Sequence, residues 1–321
     1  MTQDRQTGLL DRRKWLKALG GVLALPPVLA PLDAGITKKA KKNVKLAIMG
    51  HIYSGFPIEE AAQKIRADGF HGVILEFKFA DVRFDPMDPN WEAARRITEC
   101  FGRHGIKIIG LSAYYNVVDP DVARRERGER LMQLMIANWK RLGSPVICTA
   151  TGSRNAKSQW VESPENTTEE AYLLCRSNLA KMTRAAERTG AVIAIEPYWR
   201  NIIDSAERAE RLFHDLNSPS LKLAMDPANY YRKSDIPRMQ PMLEDIFRRV
   251  GRHTVLAHAK DLKASDTGTD LPAPGLGVLD YPLYLRLLAQ LDREIYLAIE
   301  HLTLEDVPRA RDYVVSQFER I

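Results

Sequence analysis

Four residues with metal-binding side chains each come at the end of a short apolar run in the second half of the chain. The runs and the residues that end them are 192–195 with Glu196, 221–225 with Asp226, 254–257 with His258 and 295–299 with Glu300. Runs of this length, bounded by turn residues and separated by helical patterns, are typical of buried parallel strands. In a β/α barrel the carboxyl ends of the strands converge on one mouth, where we expect the four side chains to meet.

A divalent cation would explain why three carboxylates lie so close together, because otherwise they repel one another and lose hydration. Three oxygen ligands and one imidazole suit Mn²⁺, Mg²⁺ or Co²⁺, with Zn²⁺ as a further alternative, and open positions can hold two oxygens of a substrate. Any one of these residues taken alone could instead cap a loop or pair with a basic neighbour. Their repetition on four consecutive strands favours the metal site.

Strand-like and helix-like segments alternate from about residue 44 to the end of the 321-residue chain. Eight alternations without a glycine-rich dinucleotide motif favour an α/β protein with a closed (β/α)₈ TIM barrel over a doubly wound sheet. We therefore predict a single barrel domain over residues 44–321. Helices are expected at about 57–68, 91–104, 121–141, 168–190, 204–216, 236–250, 281–291 and 305–319. The polar loop over residues 152–168 is a candidate lid.

The amino-terminal 34 residues have the pattern of a signal peptide. The basic stretch at residues 12–17 begins with Arg12 and Arg13, and a weakly apolar run over residues 18–30 follows it. The run is too short to span a membrane, and the paired arginines resemble a twin-arginine export signal. We expect cleavage after Ala34, export to the periplasm by the twin-arginine machinery, no membrane span after cleavage, and a basic linker over residues 35–43. A disordered basic tail or an uncleaved amphipathic anchor is the alternative.

Charge and cysteine content exclude some functions. The net charge is +6, but the basic residues are spread over predicted helix faces, which indicates solvated surface and not a nucleic-acid interface. The cysteines, Cys100, Cys148 and Cys175, are odd in number and widely spaced, and we expect buried thiols without disulfides. Whether the chain forms a homo-oligomer is left open.

Several segments resemble the xylose-isomerase-like barrels, often labelled sugar phosphate isomerases/epimerases. They are Ala185–Gly190 leading to Ile195-Glu196-Pro197, then Met225–Tyr230, His258-Ala259-Lys260-Asp261, Gly275–Tyr281 and Ile299-Glu300-His301. The match is close over residues 180–302 and looser over 44–180. The resemblance implies one divalent metal, Mn²⁺ in many members, held by Glu196, Asp226, His258 and Glu300. In the epimerase branch the two metal-bound glutamates are acid and base, here Glu196 and Glu300, although both could be ligands only.

The chemistry expected at such a site is proton transfer next to a carbonyl group. A hydroxyketone would bind through adjacent oxygens, and the metal would stabilise the enediolate that forms when a glutamate removes the intervening proton. We therefore expect a divalent-metal-dependent isomerase or epimerase of a sugar or keto-sugar. An inosose-type dehydratase at the same site and an exported, non-catalytic sugar-binding protein are the alternatives. A metal-dependent endonuclease of this fold needs more histidines at strand ends, and this chain has seven in all.

Two departures argue against a simple ketohexose 3-epimerase. Those enzymes carry a second glutamate six residues after the first metal-binding glutamate, where this chain has Ile202. They also carry a histidine three residues after the aspartate ligand, where this chain has Asn229. Two of their sugar-holding groups are therefore missing.

Other residues near the expected mouth are candidates for binding substrate. Lys260 comes two residues after His258, so it shares the inward face, where it could hold a carboxylate or enolate oxygen or else pair with Asp261. Tyr198 and Trp199 could stack on a sugar or cover the barrel rim, and His301 is expected to orient a neighbour. Residues at the ends of strands one to four could line the pocket or cap loops. The predicted substrate-binding set is Lys260, Asn229, His51, Glu76, Tyr114, Trp199 and Arg154.

Overall fold

A computed structural model describes residues 34–266 and 268–321 of the chain. Residues 1–33, which hold nearly all of the predicted signal peptide, lie outside the described residues. Among the described residues, no helix is both long and apolar enough to cross a bilayer.

Eight parallel strands close into a barrel, which confirms the predicted fold. The strands are β1 Val44–Met49, β2 Gly72–Leu75, β3 Lys107–Ser112, β4 Val146–Ala150, β5 Val192–Glu196, β6 Leu221–Met225, β7 Thr254–Ala259 and β10 Ile295–Ile299. Around the barrel the order is β1-β10-β7-β6-β5-β4-β3-β2. The last strand lies beside the first, with Val44 opposite Ile295 and Ile48 opposite Ile299, so every barrel strand has two neighbours.

The barrel interior explains why the polar residues at the strand ends point inward. Ala194, Ala224, Leu256 and Ala298 are buried together inside the barrel. Each lies two residues before one member of the predicted metal set. Because side chains alternate along a strand, the member two positions later faces the same interior, one layer nearer the carboxyl end. Small alanine side chains on three of these strands fit the narrow space below the site.

Each predicted helix is present, with small shifts at the ends. The helices are α1 Ala34–Asn43, α2 Ile58–Ala67, α3 Trp91–Arg103, α4 Val122–Leu142, α5 Glu169–Thr189, α6 Ala206–Leu216, α7 Met239–Val250, α8 Tyr281–Gln290 and α9 Val307–Gln317. The side chains of Asp121, Thr168 and Ser205 accept N-cap hydrogen bonds from the backbone at the starts of α4, α5 and α6. Gly143 and Gly190 end α4 and α5 in the left-handed conformation that glycine adopts without strain.

Two elements differ from the sequence expectation. Residues 35–43, expected as a linker, form most of helix α1, which packs against α8 and the carboxyl-terminal turn. Ala40 is fully buried there, and the Thr37 hydroxyl donates to the Ile321 carbonyl, so tertiary contacts hold a segment that looks merely basic in sequence. A hairpin of β8 Lys263–Ser265 and β9 Gly268–Asp270 also follows β7. All three cysteines are buried and free, as predicted.

Candidate active site

The four predicted metal ligands lie together at the carboxyl end of the barrel. Glu196 is the last residue of β5, Asp226 and Glu300 directly follow β6 and β10, and His258 lies near the end of β7. One ligand atom from each residue lies within 4.8 Å of the others, and all four side chains are buried. We call these four residues the carboxylate–histidine cluster.

Several polar atoms of the cluster lack a partner. The Nδ1 atom of His258 lies 3.6 Å from Glu196 Oε2 and 3.5 Å from Glu300 Oε2, too far for strong hydrogen bonds. Both ring nitrogens of His258 and the Oδ1 atom of Asp226 have no hydrogen-bond partner among the described residues. Buried polar atoms are rarely left unpaired. Three carboxylates and an imidazole with unpaired atoms facing one centre fit a divalent cation.

Lys260, which directly follows β7, lies close to all three carboxylates of the cluster. Its Nζ atom lies 2.5 Å from Asp226 Oδ2, donates to Glu300 Oε1 at 2.7 Å, and lies 3.7 Å from Glu196 Oε1. The side chain is 3% exposed. The structure therefore places Lys260 among the carboxylates.

Lys260 does not pair with Asp261, the alternative considered from sequence. The Asp261 carboxylate instead accepts backbone hydrogen bonds from Leu262, Gly275 and Leu279. These bonds tie the end of β7 to the loop before α8. Alternation along the strand separates the two neighbours, since Lys260 faces the cluster and Asp261 faces the loop.

Two neutral donors fix the orientation of Glu196. The Tyr114 hydroxyl, just beyond β3, donates to Oε2 at 2.5 Å. The Asn229 amide, on the turn after β6, donates to Oε1 at 2.6 Å. Both oxygens of Glu196 are therefore held in place before any ligand arrives.

Burial and charge act in opposite directions on the titratable groups of the cluster. Burial raises the pKa of Glu196 and of Glu300, but the nearby charges of His258 and Lys260 outweigh it and hold both pKa values below the usual range. For Asp226 burial dominates, and its pKa is raised. Burial lowers the pKa of His258 and of Lys260, but the carboxylates raise both further than burial lowers them. Without a metal, the cluster therefore favours cationic His258 and Lys260.

A cavity of about 300 Å³ opens directly above the cluster. Two members of the cluster, Glu196 and Glu300, form its floor together with Lys260. Three further predicted substrate-binding residues line it: Asn229, Glu76 and Tyr114. The wall also includes four residues that were not expected there, Met49, Ser112, Trp160 and Leu271, and two for which other roles were open, Tyr198 and His301. Trp160 lies in the polar loop after β4, and no local sequence pattern indicates that its ring faces the cavity.

Three predicted substrate-binding residues do not line this cavity. His51 lies beside Glu76, with its Nδ1 atom 3.2 Å from Glu76 Oε1. Arg154 donates to the Val118 carbonyl and to Glu165, outside the mouth.

Trp199 is turned away from the cavity as well. It is only 7% exposed, and its indole nitrogen donates to the Thr269 hydroxyl. Adjacent side chains point in different directions, so Tyr198 faces the cavity and Trp199 covers the rim between two arginine side chains.

His301 is held by the backbone. Its Nδ1 atom lies 2.6 Å from the Leu271 carbonyl, and its Nε2 atom is 3.9 Å from Glu300 Oε1. The ring therefore joins the end of β10 to the segment after the β8–β9 hairpin at one edge of the cavity.

The model of the xylose isomerase-like TIM barrel family matches residues 62–314. The chain belongs to this family. No curated protein sequence matches the chain.

Solved structures share the barrel at low sequence identity. A xylose isomerase-like TIM barrel protein from Mycobacterium smegmatis, in complex with magnesium, has a TM-score of 0.63 and 14% identity, covering 87% of this chain and 97% of that chain. The apo 3-keto-D-glucoside 4-epimerase of E. coli has a TM-score of 0.64 and 15% identity over 85% and 99%. The probable 3-DHS dehydratase AsbF of Bacillus anthracis has a TM-score of 0.60 and 14% identity over 86% and 97%. Proteins that share this barrel are thus named as a 3-keto-D-glucoside 4-epimerase and as a probable dehydratase.

Replacing Lys260 by methionine is expected to destabilise the protein in the presence of a chelator. The substitution leaves three buried carboxylates beside one imidazole, and breaking a buried ion pair costs about 3 kcal/mol or more. Urea unfolding measures the change in the free energy of unfolding. Lys263→Met is the control, because Lys263 is exposed on β8. Equal stability of the two variants would contradict a neutralising role for Lys260.

Proposed function

We propose that the chain is a divalent-metal-dependent isomerase or epimerase of a sugar or keto-sugar. The observation that carries this proposal is the carboxylate–histidine cluster, with unpaired atoms of His258 and Asp226, at the floor of a cavity of ligand size. The family match and the epimerase among the similar structures support the same reaction class.

The metal proposed for this site is held by Glu196, Asp226, His258 and Glu300. We propose Mn²⁺, with Mg²⁺, Co²⁺ and Zn²⁺ as alternatives, since oxygen ligands dominate the set. A bound divalent cation would supply Lewis-acid stabilisation of negative charge on two adjacent substrate oxygens.

The two glutamates are proposed as the proton-transfer groups. Strands β6 and β7 lie between β5 and β10 in the barrel, so Glu196 and Glu300 approach the cavity from different sides. One carboxylate removes a proton from the carbon next to the substrate carbonyl. The other returns a proton to the opposite face in an epimerase, while an isomerase returns it to the neighbouring carbon.

Neighbouring residues would hold these groups and the substrate. Tyr114 and Asn229 fix the carboxylate of Glu196 through hydrogen bonds to its two oxygens. Lys260 binds Oε1 of Glu300, which leaves Oε2 free of hydrogen bonds from the described residues. Glu76 on the cavity wall is proposed to accept a hydrogen bond from a substrate hydroxyl.

Loss of water from a keto-sugar is the second candidate reaction. It begins with the same proton removal, but the β-hydroxyl then leaves with a proton as water, and the enol that remains takes up a solvent proton at carbon when it ketonises. The fold and the cavity are compatible with both the isomerase or epimerase reaction and the dehydratase reaction. The similarity to a probable dehydratase of the same fold supports the second candidate.

His258→Ala is expected to lower metal affinity by at least about tenfold, since it removes the only nitrogen ligand of the cluster. The measurement is metal content after dialysis against limiting Mn²⁺, together with calorimetric titration. His214→Ala is the control, because His214 is exposed on α6 and its side chain is 89% accessible. Unchanged affinity in a folded His258→Ala protein would rule out His258 as a ligand.

Deuterium incorporation tests the reaction itself. The Mn²⁺-loaded protein is incubated in D₂O with aldoses, ketoses, 3-keto-sugars and inososes, and the products are analysed by mass spectrometry. We expect deuterium in an isomer of one sugar, slowed about 100-fold or more by Glu196→Gln or Glu300→Gln. Glu305→Gln, at an exposed position after β10, serves as the control. Loss of water with deuterium uptake would establish the dehydratase, and no exchange across the panel would refute both reactions.

We further propose that the protein is exported to the periplasm by the twin-arginine pathway. Arg12 and Arg13 support this proposal, and both lie outside the described residues. That pathway carries folded proteins, so a metal loaded in the cytoplasm would remain bound during transport.

Arg12→Lys combined with Arg13→Lys is expected to leave the protein in the cytoplasm, because the export signal depends on the paired guanidinium groups. Cell fractionation and immunoblotting measure the distribution. Arg5→Lys, outside the arginine pair, should leave export intact. Periplasmic accumulation of the double variant would refute the twin-arginine route.

A further inference from the structure

We infer that the cavity takes an uncharged sugar, without a phosphate or carboxylate group, and that Trp160 is the residue that holds its apolar face. This inference rests on the proposed function, because it names the substrate class of the same site. It follows from the charges on the cavity wall, from an aromatic surface on one side, and from the way the loop carrying Trp160 is fixed.

The charges around the cavity oppose an anionic substrate. Among the described residues that line it, the carboxylates of Glu76, Glu196 and Glu300 face one lysine, Lys260. The ammonium group of Lys260 is already shared between Asp226 and Glu300. Phosphate recognition normally uses arginine, lysine or several backbone N–H groups that are free to donate. The proposed divalent cation and Lys260 together only offset the three carboxylates of the cluster, so a phosphate ester would meet no surplus positive charge and would lie near the Glu76 carboxylate.

Two nearby arginines, Arg154 and Arg232, already have partners. Arg154 donates to the Val118 carbonyl and to Glu165, and Arg232 pairs with Glu162 at 3.1 Å. Neither residue lines the cavity. A phosphate group would have to break these contacts to bind either of the two arginines.

An aromatic wall forms one side of the cavity. We use this name for Tyr114, Trp160 and Tyr198, all of which line it. The ring centroids of Tyr114 and Trp160 are 5.8 Å apart, and those of Trp160 and Tyr198 are 6.3 Å apart. Trp160 is 41% exposed although its ring is large and apolar. Sugars present C–H faces that pack on such rings, while their hydroxyls reach polar groups on the opposite wall.

Buried side chains hold the backbone of the loop at the residues directly before and after Trp160. The Asn201 amide donates to the Gln159 carbonyl at 2.7 Å, and the Ser153 hydroxyl donates to the Val161 carbonyl at 2.7 Å. Asn201 and Ser153 are both buried. The ring is therefore positioned before substrate arrives, and little ordering free energy opposes its use in binding.

The size of the cavity limits the substrate further. A volume of about 300 Å³ is at the lower end of the ~300–1,000 Å³ range of ligand pockets. One sugar ring would occupy this volume, with its reacting carbons over the cluster and its apolar face on Trp160. The charges, the aromatic wall and the volume of the cavity together favour an uncharged, monosaccharide-sized keto-sugar.

Calorimetric titration of the Mn²⁺-loaded full-length protein tests the charge argument. The probes are L-ribulose and D-fructose, each compared with its own phosphate ester, L-ribulose 5-phosphate and D-fructose 6-phosphate. We expect each ester to bind at least roughly tenfold more weakly than the free sugar. An ester that binds as tightly as the free sugar, or more tightly, would overturn the inference.

Substitution of Trp160 tests the aromatic contact. Trp160→Ala is expected to weaken binding of the free sugars roughly tenfold, and Trp160→Phe to restore most of the loss, since a smaller aromatic face remains. Val161→Ala is the matched control: Val161 is 44% exposed on the same loop and does not line the cavity. Equal affinity of Trp160→Ala and Val161→Ala would remove Trp160 from the inference.

Failure of the inference and failure of the proposed function give different results. The relative affinities of the free sugars and their phosphate esters report the substrate class, while deuterium exchange reports the reaction. If esters exchange deuterium as fast as free sugars, the reaction stands and the uncharged class is wrong. If free sugars bind better than esters, lose affinity in Trp160→Ala and never exchange, the substrate class stands and the reaction is wrong.

Discussion

Repulsion among three buried carboxylates is the constraint on which the arrangement of this barrel mouth depends. Glu196, Asp226 and Glu300 meet within a few ångströms and are nearly inaccessible to water. Burying one unpaired carboxylate is already costly, and burying three together requires positive charge from the protein or from a ligand. His258 and Lys260 supply positive charge, yet both ring nitrogens of His258 lack a hydrogen-bond partner among the described residues, which fits a further cation at this centre.

The barrel makes this costly arrangement possible because the rest of the chain stabilises it. Eight paired strands leave no open edge, and the alanine-rich layer below the cluster is buried. Neighbouring strands then bring together residues that are far apart in sequence, such as Glu196 and Glu300. A cluster of this kind on flexible loops would relax outward until its carboxylates were hydrated.

The features that follow from local periodicity were predictable from the sequence, and those that depend on long-range contacts were not. Apolar runs predicted the strands, and alternation placed Lys260 on the inward face two residues after His258. Alternation could also have distinguished Tyr198, which lines the cavity, from Trp199, which does not. The position of Trp160 was not predictable, because it depends on hydrogen bonds from Asn201 and Ser153 to the loop. Helix α1 was missed because docking, not its own sequence pattern, holds it in place.

The structure shows what the residues at the two departures from the ketohexose 3-epimerases contact. Ile202, at the position of their second glutamate, is fully buried and packs in the core, so no polar group from that position reaches the substrate. Asn229, at the position of their histidine, donates to Glu196 and so helps to fix a proposed proton-transfer group. With these polar contacts absent, a substrate has fewer directional hydrogen bonds on this side of the cavity. Packing against Trp160 and Tyr198 would then help to orient the proposed sugar substrate, since both rings line the cavity.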